Sequence, residues 1–376
     1  MSFQMNKLTE VIINEIPLPF PQMKALAVAE SFRVRELKPS PTLYLLTKDN
    51  SPFNGIILEK DSNQIVCAPT STFDELDPNE NIVFDVKDCT FEYCEDGTII
   101  RLYNYNGEWI TATTKCIDAK YSYWATPKTF DELFWQTIGN STFTHELDPN
   151  LTYLFILLHP ENRIVIPHNT VSVVFLGSYL KLTGKVGDAF PIDNPCGTPD
   201  NSFIYNVIPT LRVPLQKDLT EVSCRELVRH YTRDYKRGIV VTDHLNQKRY
   251  KIDFPFYTEL ADIRGNTPFI GTRYLELLNH PEKLEKLQMY WPEDSSIFLG
   301  IWNALAVLTK NIHYVYYQTH IKRYYKIDEK HHYYRTIRQL HAQYKTTQKP
   351  ITPHDVWNKL LTIPTPILNK MIYSHC

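Results

Sequence analysis

The chain has 376 residues and a formal net charge of −2, so it is long enough for two domains, and any attraction to nucleic acid must come from a local patch. Hydrophobic residues make up 43% and charged residues 22%, the balance of an ordinary soluble globular protein. Seven cysteines at positions 67, 89, 94, 116, 196, 224 and 376 form no CxxC pair, and their odd count over a long chain argues against a disulfide framework and points to free thiols in a reducing compartment. The first ten residues are polar, without the basic start and long apolar run of a signal peptide. No stretch reaches eighteen uninterrupted apolar residues, and the longest apolar helix candidate, residues 297–308, is broken by Asn303 and too short to span a bilayer. A soluble, intracellular protein with no membrane partner is expected.

In chain order, short β-branched or apolar runs between turn residues predict strands over 42–46, 55–58, 64–68, 98–105, 108–113, 153–158, 163–166, 171–176, 238–242 and 249–252. Asn106-Gly107 between two alternating runs predicts a hairpin, because both residues tolerate positive φ. Residues 129–138 and 220–234 read as helices with Thr near each start. Strands and helices mixed without βαβ alternation predict an α+β fold with antiparallel sheets. Beyond residue 265 the spacing becomes helical, over 273–278, 281–290, 297–317, 333–345 and 353–361, with Ile297, Ile301, Leu305 and Leu308 as one stripe. The expected organisation is therefore a domain over residues 1–265 and an all-helical domain over 266–376.

Five segments carry more than fold class. They are Asn54-Gly55-Ile56-Ile57-Leu58-Glu59, then Cys94-Glu95-Asp96-Gly97-Thr98, then Phe155-Ile156-Leu157 with Pro160-Glu161-Asn162-Arg163-Ile164-Val165 downstream, then Arg237-Gly238-Ile239-Val240-Val241, and last Lys251-Ile252-Asp253 with Tyr257. In this order and spacing they resemble the RGIxF, KxDG, FEL with PxNRIV, EGxVV and KxK elements of the bacteriophage-type, tRNA-repair-like ATP-dependent RNA ligases, which are covalent nucleotidyltransferases. The resemblance covers roughly residues 40–260 and implies an RNA-ligase adenylation domain with antiparallel sheets followed by a helical C-terminal domain.

The family's reaction begins when an unprotonated Lys attacks the α-phosphate of ATP. Cys94 stands at that position here. A thiol can be nucleophilic, so this change alone does not end the chemistry. The remaining departures weigh more. Ile156 replaces the FEL carboxylate and can accept no hydrogen bond. Arg237 replaces the EGxVV carboxylate and would repel Mg²⁺. Asp253 replaces the second Lys of KxK and would oppose charge developing on the α-phosphate. Asn54 replaces the RGIxF Arg and lacks its charged fork. All five changes fall on polar positions while the apolar neighbours are kept, and losing one transition-state contact alone costs about 3–4 kcal/mol.

The resemblance thus implies a degenerate member in which no catalytic residue is expected at Asn54, Cys94, Ile156, Arg237 or Asp253, no metal site is expected, and no cofactor is expected. A residual nucleotide cleft would be built from Lys251, Asp96, Gly97 and Arg163. The alternative is an active ligase using ATP and Mg²⁺ with a non-standard nucleophile, for which Lys87 and Lys115 are the nearby lysines.

Residues 310–349 hold nine Lys or Arg against two acids, Asp328 and Glu329, with eight Tyr interleaved. Lys322, Arg323, Tyr324, Tyr325, Lys326, Arg335 and Arg338 are the candidates for binding RNA or DNA, since bases stack on aromatic rings while basic side chains take phosphates. The same pattern also suits a solvated helical face whose Tyr rings fill the core. The phage-like resemblance and the Asn-, Lys-, Ile- and Tyr-rich texture imply a large DNA virus as the source. The expected role is binding of nucleic acid or of a protein partner in a viral assembly, in the host cytoplasm or the virion.

Overall fold

Two helices that the apolar spacing does not announce open the chain in the computed structural model, which describes residues 7–70, 73–139, 141–180, 207–209, 212–216, 218–233 and 236–373. They are α1 (Lys7–Ile13) and α2 (Phe20–Ala29). Strands β1 (Arg33–Leu37), β2 (Ser40–Thr47), β3 (Ile56–Glu59) and β4 (Ile65–Cys67) follow, joined in that order as an antiparallel sheet. Next come β5 (Asp74–Glu75), β6 (Val83–Asp85), β7 (Cys89–Cys94), β8 (Thr98–Tyr105), β9 (Glu108–Ala112), α3 (Phe130–Ile138), β10 (Leu151–Leu158) and β11 (Ser172–Leu180). The first unit then runs through β12 (Val207–Pro209), β13 (Glu221–Ser223), α4 (Cys224–Tyr231), β14 (Gly238–Asp243) and β15 (Lys248–Asp253).

Alternation along β2 and β3 gives the first sheet two apolar faces. Tyr44, Leu46, Ile56 and Leu58 pack under α1 and α2 with Leu8, Ile12, Met23 and Ala27. Leu43, Leu45 and Ile57 turn the other way, onto Tyr103, Ala112 and Ile117. The second sheet, ordered β12-β11-β10-β8-β9, is likewise two-faced. Tyr153, Phe155 and Leu157 of β10 point into a core with Phe130, Leu133 and Phe134 of α3, while Leu154, Ile156 and Leu158 point away from it. A third sheet has the order β5-β15-β14-β7. The hairpin between β8 and β9 forms at Asn106 and Gly107, both at positive φ (53° and 85°).

Arg101 on β8 is fully buried, yet among the described residues no carboxylate is paired with it. Its guanidinium donates to the carbonyls of Gly55, Ala68 (2.8 Å) and Thr113 (2.7 Å). It therefore joins the β2–β3 loop and the ends of β4 and β9 at one point, by donating to buried backbone acceptors from three separate stretches of chain.

Three expectations fail. Residues 163–166 are a bend and not a strand, because the N–H groups of Val165 and Ile166 both donate to Asp96 Oδ2 at 2.8 Å and are not free for a ladder. The helix expected over 220–234 begins only at Cys224. Ser223 is its N-cap in a capping box with Glu226, and Glu221–Ser223 pair with β6 as β13; the end of that expected span, Asp234, lies outside the described residues. Ile297 is 42% exposed, so the stripe's buried members are Ile301, Leu305 and Leu308, joined by Phe298. Cysteines 67, 89, 94, 116 and 224 are free thiols; 196 and 376 lie outside the described residues.

The chain divides into two compact units, Met1–Thr258 and Glu259–Cys376. The division falls inside α5 (Pro255–Arg264), seven residues before the predicted boundary at 265. The second unit is helical: α6 (Ile270–Glu276), α7 (Pro281–Tyr290), α8 (Ser295–Tyr316), α9 (Tyr334–Thr347), α10 (Pro353–Leu361) and α11 (Thr365–Tyr373). No described helix is long and apolar enough to cross a membrane. The fold class is α+β with antiparallel sheets and a helical C-terminal region.

Candidate functional site: a cleft between two sheets

Strand register assembles the motif positions. In the third sheet, Gly238 pairs with both Cys94 and Asp253, and Val240 pairs with both Glu92 and Lys251. Residues in one cross-strand row share a face, so Cys94, Glu92, Val240, Lys251 and, two residues back along β15, Arg249 form one wall of a cleft. The opposing wall comes from the second sheet. There Ile156 pairs with Ile99 on one side and Val174 on the other, and Leu154, Leu176 and Tyr179 extend the surface. Asn54, Thr70, Phe73 and Thr114 complete the lining. The cleft holds about 330 Å³.

Facing explains which motif residues are kept. Phe155 and Leu157 flank Ile156 but turn into the α3 core; only Ile156 reaches the cleft. Ile239 and Val241 are fully buried, whereas Arg237 and Val240 line the cleft. Gly97 is required by space, since a Cβ there would stand 2.5 Å from the Leu157 carbonyl and 2.6 Å from the Leu158 side chain.

The charged side chains of the cleft are largely committed to one another. Arg237 grips Asp253 as a two-pronged fork, Nε to Oδ1 at 2.9 Å and Nη2 to Oδ2 at 3.1 Å, and its guanidinium stacks 4.9 Å from the Tyr257 ring. Two substituted motif positions thus form one ion pair. Lys251 donates to Glu75 at 2.7 Å and lies 3.7 Å from Asp253, because β5 pairs in parallel with β15 and brings Glu75 opposite it. Glu95 is paired with Lys236. Arg249 rests over the Phe73 ring at 4.7 Å. Asn54 is occupied locally: its Oδ1 accepts from the Lys48 N–H at 3.1 Å, and its carbonyl accepts from Thr70. Burial, the largest influence, pushes the Cys94 thiol up to about 11 against the opposing pull of Arg237, so at neutral pH it is a thiol and a poor nucleophile.

The cleft therefore brings together Asn54, Cys94, Gly97, Ile156, Arg237 and Lys251, with Asp253 reached through Arg237. Asp96 and Arg163 are not part of its lining. Asp96 is buried, accepting from Val165, Ile166 and the Tyr257 hydroxyl (2.9 Å); Arg163 Nε donates to the Val165 carbonyl at 3.0 Å. Lys87 is paired with Asp85 on an exposed turn, Lys115 is exposed, and neither lines the cleft. Sequence reading missed Glu75, Lys236, Phe73 and Arg249. Lys236 and Arg249 adjoin motif residues and so carried a signal; Glu75 and Phe73 arrive only through the parallel β5–β15 pairing.

The second unit presents the other candidate surface. After α8 a wider helical turn, Tyr317–Ile321, leads into a loop where Arg323 adopts a left-handed φ of 57°. Lys322, Arg323, Tyr324, Tyr325 and Lys326 are all exposed, as are Arg335 and Arg338 on α9. Lys322 lies over the Tyr317 ring at 5.6 Å and Arg338 over Tyr334 at 5.7 Å. The surface reading does not hold for every ring, since Tyr316 and Tyr333 are core residues. Among the described residues no group of three His, Cys, Asp or Glu side chains could hold a metal ion.

No protein-family model matches the chain. It is 20% identical over 340 residues to the immediate-early protein ICP-46 homolog of Invertebrate iridescent virus 6, covering 83% of this chain and 72% of that protein. It spans about half the length of two further ICP-46 relatives. A shorter match, 30% identical over 92 residues, covers 22% of this chain and 21% of an RNA ligase from Rhodothermus phage RM378. Among solved structures, an archaeal ATP-dependent RNA ligase aligns with a TM-score of 0.45 at 13% identity, over 77% of this chain and 83% of that one. Over most of its length the chain is thus similar to an immediate-early protein of an iridescent virus, and over a shorter stretch it is similar to a phage RNA ligase.

Proposed function

We propose that this RNA-ligase-like chain has lost nucleotidyl transfer and acts by binding nucleic acid through the basic, tyrosine-rich surface of its helical unit. The observation carrying the loss is the Arg237–Asp253 fork. Where the ligase resemblance calls for a metal-holding carboxylate and a phosphate-steadying Lys, the two side chains are of opposite sign and saturate each other. The side chains present do not fit a magnesium–triphosphate: Lys251 is held by Glu75, and Cys94 is kept protonated by burial.

The test is incubation with α-labelled ATP and Mg²⁺. No covalent adduct is expected; a stable protein–AMP adduct that disappears in Cys94→Ser, or in Lys87→Ala or Lys115→Ala, overturns the loss and restores the enzyme reading. Nucleic-acid binding is supported by Tyr324 and Tyr325, 72% and 50% exposed, standing between Arg323 and Lys326. Such rings stack on unpaired bases while their neighbours take phosphates. Binding to single-stranded RNA should weaken steeply with salt and be lost on charge reversal at Lys322, Arg323 and Lys326. A protein partner is the second reading, favoured by exposed Leu299, Trp302 and Val307 on α8.

A further inference from the structure

Two imidazoles hold the base of the basic loop in the helical unit. His320, in the wider turn that ends α8, stacks on Tyr316 with ring centres 5.2 Å apart and planes 8° from parallel. His341, on α9, lies 4.3 Å from the His320 ring and stacks on Tyr344 at 5.9 Å. This aromatic column fastens the end of α8 to α9. The loop carrying Arg323, Tyr324, Tyr325 and Lys326 starts from the same turn, where the Lys322 N–H donates to the Tyr317 carbonyl at 2.9 Å and the Tyr324 N–H to the Gln318 carbonyl at 3.0 Å.

The column suits neutral rings. The Thr319 hydroxyl donates to the Val315 carbonyl at 2.7 Å, so its oxygen is left to accept from His320 Nδ1 at 2.8 Å. A second proton on His320 must then go on Nε2. Nδ1 of His341 is buried without a partner, as is the Tyr316 hydroxyl. The charges facing the rings are cations, Arg323 from the loop and Lys345 one turn along α9. The nearby acids are engaged elsewhere: Asp328 accepts from the Lys330 N–H, Glu329 from the Tyr334 hydroxyl, and Asp355 of α10 from Thr352 and Gln343. Burial above all lowers both imidazoles from their ordinary 6.5; His341 and then Lys345 add to this at His320, and Lys345 and then Arg323 at His341. A proton taken up here is a charge without a counter-ion, and opening the column relieves it.

We propose that the Tyr316–His320–His341–Tyr344 column is an acid-sensitive latch: protonation of its imidazoles parts the end of α8 from α9 and frees the basic loop, so that nucleic acid is released as pH falls. Both rings are lowered relative to an open loop, so the latch is fully closed above about pH 6.5 and loosens below it. Protonation of a rigid basic surface would act in the opposite sense, adding charge and tightening binding. Release of nucleic acid rests on the proposed function of this surface; the latch itself does not.

Hydrogen exchange of the full chain at pH 7.5 and 5.5, corrected for intrinsic rates, tests the latch. Protection of the Lys322 and Tyr324 amides should fall by about tenfold or more, since each freed ring contributes up to about tenfold one pH unit below 6.5. The amides of Leu305 and Leu308, midway along α8, should keep theirs. His320→Phe with His341→Phe retains the stack without the protons and should abolish the response. Unchanged protection at Lys322 and Tyr324 overturns the latch, as does an equal loss at Leu305 or an equal loss in the double variant. If that variant fails to fold, the native chain's amides still decide. At fixed ionic strength, affinity for single-stranded oligouridylate should fall at least threefold over the same interval; a rise overturns the release. Absence of RNA binding at both pH values overturns the nucleic-acid reading, while exchange still decides the latch.

Discussion

Removing Arg237 and Asp253 singly and together measures how far the two substituted positions act as one. The side chains are 29% and 25% exposed, between the solvated pairs worth about 0.2–1 kcal/mol and the fully buried pairs whose one-sided rupture costs about 3–5 kcal/mol. The bidentate geometry argues for the middle of that span. Asp253→Ala should therefore cost about 2 kcal/mol, leaving the Arg237 guanidinium stacked on Tyr257 without its carboxylate fork. Arg237→Ala should cost about 0.5–1 kcal/mol more, since it also removes the stack on that ring. The double variant should be less destabilised than the sum of the singles by about 1.5 kcal/mol, roughly tenfold in the unfolding equilibrium. Urea titrations of the four proteins with an unchanged m-value supply the cycle. Additivity within about 0.5 kcal/mol would refute the coupling, and with it the view that these two departures are one event. The inverted pair Arg237→Glu with Asp253→Lys, which restores the ligase-like signs, should recover part of the loss that either reversal causes alone.

Other outcomes follow from the same geometry. Burial pushes Cys89, Cys94 and Cys224 up to about 11, above the ordinary thiol value of about 8.5. Their contribution to stability is fully present below the unfolded value and is lost as pH rises through about 11, so urea midpoints should fall between roughly pH 9 and 11; a flat profile would contradict the burial. At pH 7.5, Cys94 in the folded chain should react with iodoacetamide more slowly than in urea, by about tenfold or more; equal rates would reopen the thiol as a nucleophile. Gly97→Ala should cost about 1–3 kcal/mol, because the obstructing atom is the Leu157 backbone carbonyl at 2.5 Å and cannot rotate away. A midpoint unchanged in urea would show that β10 yields there.

Much of the α+β architecture could be read from pattern, because strand alternation and helical spacing are local. The hairpin at Asn106-Gly107 needed only two residues, and α7 and α10 begin at prolines that mark first turns. The positions facing the cleft were legible through their resemblance to ligase motifs. What could not be read was the pairing among them. Arg237 meets Asp253 through β14–β15 register, and Lys251 meets Glu75 across 176 residues of chain. Substitutions taken one by one look like five independent losses; placed in register, the two charged ones, Arg237 and Asp253, pair with each other. The stretch 163–166 failed for a related reason. Its β-branched residues favour a strand, but a buried carboxylate 69 residues away accepts its N–H groups. Ile297 fits the helical spacing and yet faces outward, since periodicity finds a stripe without fixing its edges.

Arg101 gives these substitutions a setting. Its guanidinium fastens three separate stretches of backbone through their carbonyls, and backbone carbonyls are present whatever side chains the cleft carries. Inheritance of shape is thereby uncoupled from inheritance of chemistry. The pocket can be refitted residue by residue while its frame stays put, and a designer could exploit the same freedom to install a new ligand preference, leaving this one arginine alone.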